Sequence, residues 1–407
     1  MKKYDLIVVG GGISGVAAAV SAAREGLRTL LIEKTGSLGG AMSVSLVYPF
    51  MKYYIRESNT LLSAGIFTEM RQRHKQYGDT SFETYKFVFD DMVTEAGVEV
   101  LFHAVVCEAA TEGRTVKSVR VATKSGMMTF EADYFADTTG DGELIFLTGC
   151  DYQLGREDDS LCQPMTTCFR VCGVDLDLLA QDRDKIQETY KAYREQNKIT
   201  NPRENILLFL GLGDGIVHFN TTRVVRHDPV DPFQISKAEI AARKQITEML
   251  CFLKRVSKAF DHCTLISVAN HIGVRESRKL KGVHILHENE LANCTVFEDR
   301  IALGNYEIDI HNPSGTGTEI VKIPRDKYYQ IPYRSLLPKE YDNMLVAGRC
   351  LSATHRAHSA VRILPICACM GEAAGVAIAI AHSTAATVHA VDIPTLQQKL
   401  REKGAAL

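Results

Sequence analysis

The sequence carries almost no net charge: 47 Lys and Arg stand against 49 Asp and Glu, a balance of -2. A chain without an excess of one sign lacks the electrostatic footprint expected of a partner for nucleic acid or an anionic membrane surface. None of its 11 cysteines forms a C-x-x-C. The closest groupings, Cys162, Cys168 and Cys172, and the pair Cys367 and Cys369, match no familiar zinc or iron–sulfur spacing. The thiols therefore read as small apolar groups in a reducing compartment, with no metal expected; a metal site on the first grouping, or a redox-active thiol, is the minor alternative. No secretory signal opens the chain, because Met1-Lys2-Lys3 runs at once into a strand containing Asp5. The most apolar stretch, Ile366 to Ala381, is broken by Glu372 and is shorter than the roughly 20 residues that span a bilayer. There is no internal repeat and no low-complexity tract. No G-x-S-x-G elbow surrounds a serine, so a Ser-His-Asp hydrolase has no support. The expectation is a cytoplasmic protein with no membrane span and no nucleic-acid partner.

With 407 residues, 45% apolar and 24% charged, the chain can bury two cores, or one large core with an insertion. Residues 4–9 form a short apolar run before glycines, the pattern of a buried parallel strand. Ala-rich residues 13–26 read as a helix and residues 27–33 as a second strand, which together make a βαβ unit. Residues 60–97 read as mostly helical, with Phe82, Tyr85, Phe89 and Met92 at helical spacing. Strands follow at 98–102 and 105–109, a hairpin at 116–123 and 127–132, and a separate strand at 133–138. Helices are expected at 176–197, 236–258 and, last, 363–381, with a buried strand at 344–347. The fold class is α/β: a Rossmann-like nucleotide-binding domain with a parallel central sheet, made of residues 1–165 and 330–407. An α+β substrate or cap domain is inserted at 166–329.

The chemistry starts at Gly10, Gly12 and Gly15. Gly10 permits the tight turn from strand to helix, Gly12 lets backbone approach a pyrophosphate, and Gly15 lets helix and strand pack closely. The helix start then offers free N–H groups and partial positive charge to the phosphates. Glu33 lies 18 residues past Gly15 (33 − 15), at the end of the second strand, where a carboxylate binds a ribose diol and disfavours a 2′-phosphate. Gly39-Gly40 offers a second wall for the pyrophosphate. The Thr139-Gly140-Asp141 and Gly348-Arg349 turns also follow buried strands. Parallel strands of one sheet end on one edge, so these turns line one long ligand, and FAD is long enough to need them.

These residues resemble the FAD-dependent oxidoreductases of the glutathione-reductase-like superfamily, distantly similar to fumarate reductase and succinate dehydrogenase flavoproteins. The resemblance is carried by Asp5 to Met42, Tyr134 to Leu144, Gln163 to Thr166, His271 to Arg278, Ile308 to His311 and Tyr329 to Gly375. It implies that Gly10, Gly11, Gly12, Ile13, Ser14, Gly15 and Glu33 hold the pyrophosphate and adenosine ribose, and that Lys34, Gly39, Gly40, Ala41 and Met42 continue along the cofactor. It implies a backbone contact from Val106 to adenine, Thr139, Gly140 and Asp141 beside the FAD, and Gly348-Arg349 at the ribityl chain. The helix entered by Arg362-Ile363 would point its N-terminus at the flavin. Some fumarate-reductase relatives attach FAD through a His near the second glycine pair; residues 41–47 contain none, so the FAD is expected to be noncovalent. The only further glycine cluster, Gly211 to Gly215, precedes a strand and lacks the dinucleotide motif, so a separate NAD(P)H domain is not expected.

Flavin chemistry needs a substrate over the ring and often a group that moves a proton. His355, a few residues past Gly348-Arg349, is a candidate, with His358 beside it; the alternative for each is a structural hydrogen bond. Arg275 and Arg278, near His271, form a pair that could grip a carboxylate, or else surface ion pairs with Glu276. His311 and Arg334 are weaker candidates. The expected function is oxidation or reduction of a small organic substrate by hydride transfer at flavin N5. Two alternatives are an FAD-binding electron-transfer component of a complex, and a flavin-dependent reaction without net redox. The residues do not identify the substrate or the electron acceptor or donor, and a homo-oligomer stays open.

Overall fold

The computed structural model describes residues 3–78 and 81–407. The chain opens with β1 (Lys3–Val9), α1 (Ile13–Arg24) and β2 (Thr29–Ile32), followed after helices Ile66–Gln76 and Tyr85–Glu95 by β3 (Glu99–Leu101). Three strands come next: β4 (Val105–Glu112), β5 (Thr115–Thr123) and β6 (Gly126–Asp137). Together with β11 (Met344–Val346), they form a seven-stranded sheet whose main path runs β3-β2-β1-β6-β5-β4. β1 pairs in parallel with β2 and with β6. Both faces of this sheet are covered, as a parallel sheet requires. Leu6 and Val8 join the core that includes α1, while Ile7 and Val9 join the core on the opposite face.

The strand read as two pieces, 127–132 and 133–138, is the single strand β6. It is continuous because it changes partner along one edge and not direction. Its first half pairs with β5 and its last three residues with β11 (Met344–Val346). The buried Asn343 side chain fills the junction, accepting from Val116 N–H (2.9 Å) and donating to the Val116 and Asp133 carbonyls (2.8 Å each).

Between these segments lies a second, antiparallel sheet of β7 (Phe169–Cys172), β8 (Leu208–Phe209), β9 (Val217–Phe219) and β10 (Thr264–Val268), ordered β8-β9-β7-β10. Helices α2 (Leu176–Glu195) and α3 (Pro232–Val256) pack on it around Phe169, Tyr190, Phe219, Phe252 and Phe260. The Gly211 to Gly215 cluster is the loop between antiparallel β8 and β9. From Leu286 the chain packs back mainly into the core that contains α1, while Tyr341, Met344, Val346 and Cys350 join the core on the opposite face.

The chain ends with α4 (His355–Val361), α5 (Leu364–Ser383) and α6 (Ile393–Glu402). α4 and α6 were not anticipated. Each begins at a short polar cap, where Thr354 accepts from Ala357 N–H and Asp392 from Thr395 N–H, and each helix is brief. α5 is the helix expected at 363–381 and runs on to Ser383. Its 20 residues suffice by length and composition to cross a membrane, but 94% of its apolar window is buried inside the fold. The reason is a close crossing with α1. A Cβ at Gly371 would lie 2.1 Å from Ser14 O, and one at Gly375 would lie 2.3 Å from Ala18 O. Small residues four apart let two helix backbones touch, and this contact brings the N-terminal ends of α1 and α5 to one cleft.

Candidate functional site

Three parallel strands set the site. Val9 of β1, Asp137 of β6 and Val346 of β11 lie in register, so the turns that follow them open on the same sheet edge. Asp137 is fully buried and shapes the middle turn. It accepts from Thr139 N–H (3.0 Å), Thr139 O–H (2.7 Å) and Ile145 N–H (2.9 Å). Thr138 O–H reaches back to Gly10 O at 2.7 Å, tying the middle turn to the first.

The glycines of the first turn divide by cause. A Cβ at Gly15 would sit 1.8 Å from Gly10 O, and Gly10 itself has φ +99°, where a Cβ would lie 2.6 Å from Thr139 Cα. Both are demanded by the fold. Gly12 is different. It is the N-cap of α1 with φ -65° and ψ 176°, a conformation open to any residue, and a Cβ there would meet nothing nearer than 4.0 Å. Protein packing does not require glycine at this position. Gly39 N–H donates to Gly11 O at 2.8 Å, and a Cβ at Gly40 would press on Gly12 Cα at 2.9 Å, so the second glycine pair lies directly against the first turn. Glu33 closes the other side, accepting from Gly11 N–H and Thr35 N–H, each at 2.7 Å.

These elements line one elongated cleft with an empty volume of about 1260 Å³, its open mouth included. Sixteen residues expected to hold cofactor line it: Gly10, Gly12, Ile13, Ser14, Glu33, Lys34, Gly39, Gly40, Ala41, Val106, Thr139, Gly140, Asp141, Gly348, Arg349 and Arg362. Gly11, Gly15, Met42 and Ile363 stand behind this wall and do not line it. The sequence reading missed Thr35, Val44, Ser45 and Glu143, and Leu364 and Cys367 at the start of α5. It also missed Ile235, Glu239, Ile272 and Val274, which the inserted region contributes. The first six are near neighbours of motif residues. Nothing in the local sequence marks Ile235 and Glu239, which sit on an ordinary amphipathic helix.

Two of the cations along the wall are paired. Arg349 donates to Asp141 at 2.7 Å and Lys34 to Glu143 at 2.7 Å. Burial works to raise the Asp141 carboxyl, but Arg349 and Lys34 hold it below its ordinary value. Glu143 is instead raised by burial, with Lys34 opposing.

The segment from Arg275 to Lys279 sends successive side chains to different sites. Arg275 donates to Pro164 O and to Thr166 Oγ1 (2.6 Å). Glu276, fully buried, takes Lys279 and His355 as partners, with His355 Nδ1 2.7 Å from Oε2. Burial opposes ionisation of Glu276, yet the His355 hydrogen bond and Lys279 bring its pKa down to about 2. Ser277 donates to Asp141 at 2.8 Å. Arg278 donates to Asp141 O (3.2 Å) and lies over the Phe146 ring at 4.4 Å. These contacts revise the expectations for Arg275, Arg278, His355 and His358. Arg275 and Arg278 diverge and make no joint grip, and neither pairs with Glu276 at the surface. His355 does not line the cleft, because its ring is engaged by Glu276. His358 donates from Nε2 to Arg349 O at 2.7 Å, and burial drives its pKa well down. Arg275 does not line the cleft either, whereas exposed His271 does. Arg334 pairs with Asp299 at 2.8 Å.

Among known proteins, the model of one family, described as FAD dependent oxidoreductase, matches residues 5–400. The ferredoxin–NADP reductase of Mycoplasmoides gallisepticum is 38% identical over 86 residues, 21% of this chain and 26% of that protein. The dihydrolipoyl dehydrogenase of Trypanosoma brucei brucei is 57% identical over 37 residues, 9% of this chain and 8% of that protein. These matches span about a quarter or less of those relatives' lengths. A solved flavin-dependent brominase superposes with a TM-score of 0.50 at 11% identity, over 98% of this chain and 83% of that one, a likeness of fold.

Proposed function

This chain belongs to the FAD-dependent oxidoreductase family, and we propose that it oxidises or reduces a small organic molecule by hydride transfer at flavin N5. It is an enzyme and FAD is its cofactor. The observation that carries the reading is the far end of the cleft. Val44, Ser45, Arg362, Leu364 and Cys367 wall it from the nucleotide-binding side, and Ile235, Glu239, His271, Ile272 and Val274 from the inserted region. A mostly apolar chamber built between two parts of a chain, with a few polar groups, is the usual form of a small-molecule site.

Bound FAD supplies the hydride acceptor or donor. The protein's part is positioning and charge. The first turn of α5 brings free amides and the positive end of the helix dipole to the chamber, and Arg362 adds a guanidinium there. Both favour negative charge at that end. The Cys367 thiol is pushed up to about 12 by burial and stays protonated, unsuited to nucleophilic work. His271 is the exposed imidazole of this wall and is assigned to proton exchange with substrate and solvent.

Purified protein should be yellow. Its flavin bands should bleach anaerobically on addition of one member of a small-molecule panel, and His271→Ala should slow that bleaching while leaving flavin content unchanged. Turnover that requires a second protein, or product formation without an acceptor, would overturn the reading.

A further inference from the structure

The flavin end of the cleft adjoins a concentration of positive charge that the protein does not neutralise. Arg362 lines the cleft itself. Arg275, Arg203 and Arg223 lie near enough that their charges act on one another: Arg362, Arg203 and Arg223 all disfavour the charged form of Arg275. The same four arginines bear on His311. Arg203 and Arg223 are 7% and 1% exposed. The four come from four separate segments, so no local helix or turn geometry accounts for their meeting.

Two carboxylates face the four guanidinium groups. Glu204 pairs with Arg223 at 2.8 Å. Asp309 accepts from Tyr306 O–H at 2.9 Å and lies 3.6 Å from His311 Nε2. Glu276 also acts on Arg362 at longer range, but it is directly engaged by Lys279 and His355. Arg203, Arg275 and Arg362 make no ion pair among the described residues. Arg203 donates to Asn205, Arg275 to a carbonyl and a hydroxyl, and Arg362 to Gln163 Oε1 at 3.5 Å. The Nε groups of Arg223 and Arg362 and the Gln163 amide nitrogen are buried with no partner. His311 is no help, since burial and the surrounding arginines push its pKa well down. Two positive charges are therefore left over, with donors unspent, in a region where burial opposes charge at each arginine. Such a group persists only where an anion completes it, and planar guanidinium forks match the oxygens of carboxylate and phosphate.

We propose that Arg362, with the positive charge of Arg275 and Arg203 standing behind the cleft wall, binds an anionic oxygen group of the substrate, a carboxylate or a phosphate ester, and so holds the reacting carbon at the flavin end of the cleft. This rests on the oxidoreductase reading above and adds the substrate class to it. Arg223, paired with Glu204 and hydrogen-bonded to His311 at 3.0 Å, supports the cluster from behind.

The test uses the FAD-loaded protein, so the cofactor's own phosphates already occupy their site. It is titrated with malonate and separately with inorganic phosphate, against sodium chloride at matched ionic strength. The readouts are the visible flavin band and the thermal midpoint. At least one oxyanion should shift the band saturably and raise the midpoint by mass action, with chloride inert. A response to malonate alone marks a carboxylate substrate, and a response to phosphate alone a phosphate ester. Arg275→Met and Arg203→Met should each weaken the oxyanion by about ten-fold or more, while Arg275→Lys retains part of the affinity. If Arg275→Met loses FAD, Arg203→Met carries the comparison. Yellow protein that responds to neither oxyanion beyond chloride, or variants that bind as wild type does, would overturn the anion site and leave the cofactor reading intact. Colourless protein that cannot be loaded with FAD would overturn both.

Discussion

Replacing Gly12 by alanine adds one methyl group at the mouth of α1. The fold has room for it. The nearest atoms, Gly40 Cα and Thr138 O, are 4.0 Å from the new carbon, and φ -65° is relaxed for alanine. Loss of a glycine N-cap and gain from a stiffer unfolded chain nearly offset, so stability should change by no more than about 1 kcal/mol. The methyl should instead meet the cofactor. A pyrophosphate held on the first-turn amides makes charge-assisted hydrogen bonds of about 1.5–3 kcal/mol each. Forcing it off two of them removes about 3–6 kcal/mol, or roughly a hundred- to ten-thousand-fold in Kd. The assay pairs flavin content after purification with the thermal midpoint of protein stripped of FAD. Gly12→Ala should be folded and colourless. Gly15→Ala, whose Cβ would fall 1.8 Å from Gly10 O, should instead be misfolded. A Gly12→Ala protein that retains FAD at wild-type affinity would refute the assignment of this glycine to the cofactor.

Other expectations follow from the same geometry. Gly375→Ala drives a Cβ to within 2.3 Å of Ala18 O, so chemical denaturation should show a loss of about 1–3 kcal/mol from overpacking the α1–α5 crossing. FAD should leave the protein on acid precipitation; flavin left in the pellet would show a covalent link. Glu372 provides a pH test. It lies buried in α5, accepts from Ile66 N–H at 3.1 Å, and burial raises its pKa from 4.5 to about 7. The folded state therefore keeps a proton that the unfolded state has released between those values, and stability falls as pH rises across that window. Glu372→Gln should match wild type near pH 4.5 and exceed it above pH 7, by up to about 3 kcal/mol; an equal difference at both pH values would contradict the burial argument.

The parts of the site that were legible in the sequence are those whose cause is local. Gly15 reports a steric demand from Gly10, five residues before it, and Gly10 reports the positive φ of its own turn. Thr139 to Asp141 and Gly348-Arg349 could be placed on one edge because parallel strands that share a sheet end together, and the registers of Val9, Asp137 and Val346 bear this out. The parts that were not legible depend on segments distant in sequence. Gly371 and Gly375 read as ordinary members of an apolar helix until α1 is packed against them. His355 follows Arg349 closely enough to suggest the cleft, but the helix capped by Thr354 carries its ring to Glu276. The arginine cluster draws on residues 203, 223, 275 and 362. Only folding of the inserted sheet against the nucleotide-binding part brings them together, so Arg275 and Arg278 looked like a pair from spacing alone.

A structure of the protein loaded with FAD locates both ends of the cofactor at once. The pyrophosphate should lie against the first-turn amides of α1 at Gly12. The flavin ring should lie in the chamber between Val44-Ser45 and the start of α5, with Arg362 beside it. A pyrophosphate seated away from Gly12, or a flavin ring lying outside that chamber, would contradict this placement of the cofactor.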